Sequence, residues 1–114
     1  MNPTDRGTEL PTTKRPVKVC MVSDLKPEEK LARTVSGVNI LIVNHSGRFY
    51  AVSNICTHEN VELIEGFLTE DAIVCPAHLS QFSLETGAVL SPPATIPLRT
   101  YEVIVEDDEV TVML

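Results

Sequence analysis

Positive charge is in short supply in this chain. Nine lysines and arginines stand against sixteen aspartates and glutamates, a net charge of −7 over 114 residues. That balance argues against nucleic acid or an anionic membrane as partner and favours basic docking surfaces on other proteins. Long apolar stretches are missing as well. The longest apolar-rich run, Val38 to Val43, is far too short to cross a bilayer. Residues 1–16 have no apolar core of the kind a secretory signal carries, so neither a leader nor a membrane anchor is expected. Cysteine is limited to three, two of them in the pattern below, which leaves no pair for a disulfide and fits a reducing, cytoplasmic setting. Repeats, low-complexity tracts, internal linkers and a convincing nucleophile–base set are absent too. What remains is one domain, in which 43% hydrophobic residues can build a modest core.

The chemistry-bearing residues gather between Cys56 and Leu84. Cys56-Thr57-His58 is followed, after sixteen residues, by Cys75-Pro76-Ala77-His78. Two thiolates and two imidazoles suit a soft-to-borderline transition metal, whereas calcium and magnesium take oxygen ligands. Each short cluster runs Cys then His, so each loop offers one ligand of either kind. Zinc fingers usually place both cysteines in one element and both histidines in the other.

This C-x-H, spacer, C-x-x-H arrangement resembles the Rieske iron–sulfur family, whose [2Fe–2S] cluster has two histidines replacing two cysteines on one iron. The likeness continues through Leu63 and Gly66 before the second cluster and through Phe82, Thr86-Gly87 and Ser91-Pro92-Pro93 after it, over about residues 17 to 114. It implies an all-β fold, an antiparallel base with a small cluster-binding part of two ligand loops at about residues 54–84. It also implies one [2Fe–2S] cluster, with Cys56 and Cys75 on a buried iron and His58 and His78 on an outer one. Two thiolates leave the oxidised centre neutral, where four would leave it doubly negative, so the potential rises above that of plant-type ferredoxins. The remote imidazole nitrogens would face solvent, as the path for the electron.

High-potential respiratory members add a disulfide between the ligand loops, with Ser and Tyr hydroxyls directed at cluster sulfurs. Here the disulfide is absent, Ser80 stands at the serine position and Phe82 at the tyrosine position. The resemblance therefore implies a potential toward the lower half of a range of about −150 to +300 mV. Pro92 and Pro93 match the loop that covers the cluster, excluding water without offering N–H groups. Many members have glycine directly after the second histidine, where this chain has Leu79. A positive φ there would strain leucine. Its side chain is either ordinary packing or an exposed apolar knob used in docking.

Along the chain, residues 1–16 read as a flexible N-terminal arm. Alternation from Val17 predicts a first strand that contains Cys20, read as a buried strand residue with a redox role as the alternative. Ser23 to Lys30, with Pro27-Glu28-Glu29, predicts one helical turn. Strands are expected over Leu31–Ser36, Val38–Asn44 and Phe49–Val52, with a turn at His45-Ser46-Gly47-Arg48. His45 is read as a solvent-exposed turn residue, with metal ligation as the alternative. Val61–Leu68 bridges the ligand loops, Ala72–Val74 delivers Cys75, and Gln81–Leu84 leaves the second loop. Leu98–Glu106 and Glu109–Leu114 are expected to close the domain as a hairpin around Asp107-Asp108. Glu59, Glu62 and Glu65 form either a solvated face or an acidic collar that steers basic partners.

The function this implies is that of a soluble, monomeric electron carrier similar to the Rieske-type ferredoxins of bacterial aromatic-ring oxygenases. It would take single electrons from an NADH-dependent flavoprotein reductase and pass them to a terminal oxygenase, without being an enzyme itself. Two alternatives stand beside it. One is the small Rieske-like subunit of an assimilatory nitrite reductase; the other is a structural zinc module using the same four residues.

Overall fold

The structure, a computed structural model, describes residues 14–114. Among these described residues eleven strands succeed one another: β1 Pro16–Met21, β2 Glu29–Val35, β3 Val38–His45, β4 Arg48–Ser53, β5 Phe67–Leu68, β6 Ala72–Val74, β7 Gln81–Ser83, β8 Val89–Ser91, β9 Thr100–Tyr101, β10 Val103–Glu106 and β11 Glu109–Met113. They form three antiparallel sheets, ordered β9-β4-β3-β2, β10-β11-β1 and β5-β6-β7-β8. The first two make a base, and the third carries the ligand loops. Among the described residues no helix is long and apolar enough to cross a membrane.

The base follows from local chemistry. Three of its hairpins close on two-residue turns whose central residues both have positive φ: Ser36-Gly37 (50° and 79°), Ser46-Gly47 (54° and 90°) and Asp107-Asp108 (51° and 64°). This geometry matches the right-handed twist of the flanking strands, and small or short polar residues tolerate it best. The apolar run of β3 is explained by period-two alternation. Ile40 and Ile42 join a core with Val19, Cys20, Ala51, Val110 and Val112, while Leu41 and Val43 join a second core with Val52, Leu63, Ile73, Phe82 and both Cys56 and Cys75. A stretch buried on both faces, as Ile40 to Val43 is, reads as a continuous apolar run. The second core therefore runs from the base into the floor of the ligand loops.

Several expectations shift. The helical turn expected over Ser23–Lys30 lies earlier, as a 3₁₀ turn at Val22–Asp24, because Met21 N–H bonds the Asp24 carboxylate and Pro27 opens a separate turn. The strand expected from Leu98 to Glu106 is broken at Glu102: β9 pairs with β4, and β10 pairs with β11. The chain thus changes sheets there. The sheet bearing the ligand loops extends to Ser91, beyond the expected limit near Leu84. Most of the expected arm, residues 1–13, lies outside the described residues. Its end does not read as an arm: Arg15 and Leu114 exchange both backbone hydrogen bonds at 2.8 and 2.9 Å, and Pro16 opens β1. His45 is half-buried, its Nδ1 2.9 Å from the Glu28 carboxylate rather than free in solvent. Cys20 is buried in the β1 strand.

Candidate metal centre

Loop one is built on Asn54, which follows β4. Its side chain is fully buried, a position asparagine holds only with its polar atoms satisfied. Asn54 Nδ2 donates to Asn39 Oδ1 at 3.1 Å, and Asn54 Oδ1 accepts from Ile64 N at 2.9 Å. Its backbone accepts from Leu63 N and donates to Asn39 O. One residue thus fastens the base strand β3 to the Val61–Leu68 segment. Cys56 N–H then bonds Val61 O at 3.0 Å, closing the loop that presents Cys56 and His58.

Loop two is a tight turn between β6 and β7. Cys75 N donates to Ser80 O at 2.8 Å and Leu79 N to Cys75 O at 3.0 Å. Closing it puts Leu79 at φ 65°, a backbone that costs a leucine roughly 1–2 kcal/mol. Leu79 is nevertheless 57% exposed, so it is not packing in the core. Gly66 explains the approach of the two loops. A Cβ on it would lie 2.0 Å from Val74 O, on the strand that delivers Cys75.

The loops bring the four residues together asymmetrically. Cys56 and Cys75 are both buried and belong to the same core cluster. His58 and His78 lie outside them, with ring centroids 5.4 Å apart and planes at 72°. Burial pushes the Cys75 thiol up; the backbone N–H groups of Ala77 and His78 work the other way, and Cys56 adds to the rise. His58 N–H similarly points to Cys56 Sγ at 3.4 Å. Burial disfavours an isolated thiolate, and a bound metal would neutralise one. Two such sulfurs inside and two imidazoles outside fit a [2Fe–2S] centre of mixed ligation.

The surroundings divide between expected and unforeseen residues. Phe82 is fully buried in the core that holds both cysteines and offers no hydroxyl. Ser80 is buried, and its Oγ accepts from Ala94 N at 2.9 Å, so it braces the proline loop. Thr57, the residue between the first Cys and His, donates from Oγ1 to Ile96 O at 2.6 Å. Pro92 and Pro93, both exposed, thus sit in a loop fastened to both ligand loops. Of the three acidic residues, Glu62 and Glu65 are exposed, as a solvated face requires. Glu59 departs from that: its Oε2 lies 3.7 Å from His58 Nε2 and 3.6 Å from His78 Nδ1. Sequence patterns mark metal ligands by type and spacing; Asn54 and Thr57 carried no such mark, and Glu59 stood out only as one of an acidic trio.

Two features distinguish the wider region. Between Arg48 and Arg99 there is no lysine or arginine, while Glu59, Glu62, Glu65, Glu70, Asp71 and Glu85 lie there. Cavities of 440, 400 and 360 Å³ occur, none of them lined by Cys56, His58, Cys75 or His78.

Comparison with known proteins agrees with this chemistry. The Rieske [2Fe–2S] domain pattern matches residues 15–102. The 3-phenylpropionate/cinnamic acid dioxygenase ferredoxin subunit of Shigella boydii serotype 4 (strain Sb227) is 40% identical over 99 residues, covering 86% of this chain and 92% of that one. The structure of a complex of reduced oxygenase and oxidized ferredoxin in carbazole 1,9a-dioxygenase contains a chain matching at TM-score 0.80 and 37% identity, over 84% of this chain and 99% of that one. A Mycobacterium tuberculosis structure described as an NADH-dependent nitrite reductase small subunit matches at TM-score 0.81 over 89% and 96% of the two chains. Its identity is only 16%, so it shares the fold alone. The motif, the inward sulfurs and outward rings, and the match over most of its length lead to one conclusion: this chain belongs to the Rieske [2Fe–2S] family.

Proposed function

We propose that this chain is the ferredoxin component of an aromatic-ring oxygenase system, moving one electron at a time from an NADH-dependent flavoprotein reductase to a terminal oxygenase. The observation that carries this reading is the asymmetry of the site, with buried cysteines and exposed imidazole edges. The exposed edges of His58 and His78 would give a cluster held there a path for electrons to a partner's surface. The chain is the electron-transfer component of such a system, not its catalyst. Its relatives named as dioxygenase ferredoxin subunits support the assignment.

In this reading residues 17–114 form the Rieske domain, and Cys56, Cys75, His58 and His78 would hold a single [2Fe–2S] cluster, the two thiolates on one iron and the two imidazoles on the other. When bound, that cluster supplies reversible one-electron redox chemistry. The chain's residues set its conditions. The loop of Pro92 and Pro93 excludes water, and Thr57 and Ser80 hold that loop in place. Phe82 withholds a hydroxyl, which keeps the potential in the lower half of the family's range. We place the protein in the cytoplasm as a monomer, with no nucleic acid or membrane among its partners.

An anaerobic titration tests the assignment. NADH with a catalytic amount of reductase is expected to bleach the visible absorption, and oxidised terminal oxygenase to restore it. Failure of the oxygenase to reoxidise the protein, with stable binding to a nitrite reductase large subunit instead, would reverse the conclusion.

A further inference from the structure

Resting on that reading, we infer that Leu79, with Ile96 of the loop fastened to Thr57, is the specificity-determining contact by which this carrier selects its terminal oxygenase. The occupant of this surface is an apolar recess with a basic rim on the oxygenase.

The backbone of Leu79 is the first reason. The turn that closes the second ligand loop demands φ 65° at this position, a value glycine or asparagine adopts with less strain. Leucine there is strained and 57% exposed, so the free protein gains little from its side chain. A strained residue retained at a functional edge points to a use outside the chain's own core. Ile96 repeats the feature from the proline loop, being 60% exposed. Its carbonyl is held by Thr57, the immediate neighbour of His58, as Leu79 is the immediate neighbour of His78. The two apolar side chains thus belong to the loops around rings that are 5.4 Å apart.

Charge identifies the partner's rim. The 50 residues from Phe49 to Leu98 carry six acidic side chains and no lysine or arginine, and Glu59 touches both rings. An apolar contact beside the Glu59 carboxylate, on ligand loops that carry no lysine or arginine, is complementary to an apolar recess with a basic rim. Burial of the knob supplies affinity, and the charge supplies orientation and encounter rate.

The test uses the cluster-loaded protein and the terminal oxygenase encoded with it, comparing wild type with Leu79→Gly, Leu79→Asn and Ile96→Ala. The visible spectrum and reduction potential are expected to stay unchanged, and the Tm of both Leu79 variants to equal or exceed that of wild type. Their Kd for the oxygenase is expected to weaken about tenfold, equivalent to about 1.4 kcal/mol. KM for the carrier should rise in parallel, with kcat at saturation preserved. Added salt is expected to weaken binding of wild type and variants alike. Unchanged Kd and KM in Leu79→Gly would overturn the inference. A lowered Tm with unaltered affinity would overturn it too, showing that Leu79 serves packing. If wild-type protein cannot reduce the oxygenase at all, the functional reading itself fails; if it can and Leu79→Gly matches it, only the present inference does.

Discussion

The base and the cluster-bearing part are built on different principles. The base has strands of up to eight residues, hairpins closed by two-residue turns and a central strand buried on both faces. The other part has strands of only two or three residues. Its loops are fastened by side-chain bonds from Asn54, Thr57 and Ser80. Its surface differs as well. Among the described residues it contains four of the five exposed large hydrophobic ones, Phe67, Leu79, Leu90 and Ile96, whereas all nine lysines and arginines lie elsewhere in the sequence. Without the six acidic residues between Arg48 and Arg99, the rest of the chain has nine basic residues against ten acidic ones. The base is therefore nearly neutral and held by regular backbone pairing. The cluster-bearing part is acidic and depends on a few specific bonds and, on our reading, on its metal. Regular backbone pairing is concentrated in one region, and exposed apolar side chains in the other.

The largest expected effect separates the two outright. Cys75→Ser should abolish iron binding and visible colour while far-ultraviolet circular dichroism still reports the β structure of the base. Loss of all β signal would show that the base cannot stand without the cluster. Next comes Asn54→Ala, which leaves half-buried partners on both β3 and the Val61–Leu68 segment without their bonds. We expect a loss of about 2–4 kcal/mol in chemical unfolding, with cluster release preceding loss of the base.

Smaller effects sharpen the comparison. Phe82→Tyr places a hydroxyl in the core beside the cysteines. If that hydroxyl donates to a cluster sulfur, protein-film voltammetry should show the potential rising by about 40 mV, the one-electron equivalent of a hydrogen bond worth about 1 kcal/mol. An unchanged potential would mean that the phenol finds another partner. The smallest effect belongs to the base. The hydrogen bond from His45, then that from Ser46 N–H, holds the exposed Glu28 carboxyl below the usual glutamate range. A depressed carboxyl stabilises the fold above that range and ceases to do so as pH falls through its lowered value. Glu28→Gln should therefore lower Tm slightly near neutral pH, with the two curves converging in acid. Parallel curves would remove Glu28 from the account of acid stability.

How much of this was legible in the residues depends on how local the signal is. The motif of Cys56, His58, Cys75 and His78 is a matter of type and spacing, and the fold class came with the resemblance it carries. Turns such as Ser46-Gly47 announce themselves because their conformations favour particular residues. The helical turn expected over Ser23–Lys30 did not form there, since a bond from Met21 N to Asp24 drew it forward. The break at Glu102 was invisible because neighbouring residues on both sides have strand character, and only the choice of partner strand divides them. Asn54 and Thr57 were hidden for a related reason. Their partners, Asn39, Ile64 and Ile96, come from elements that meet only after folding.

The central claim is that inward sulfurs and outward imidazoles hold a two-iron centre. Metal and acid-labile sulfide analysis of the purified, anaerobically reconstituted protein, with EPR of its reduced form, addresses it most directly. The account predicts two irons and two sulfides per chain, as a [2Fe–2S] centre requires, and a signal on one-electron reduction. A colourless protein containing stoichiometric zinc, silent in EPR and unable to take up iron, would contradict it.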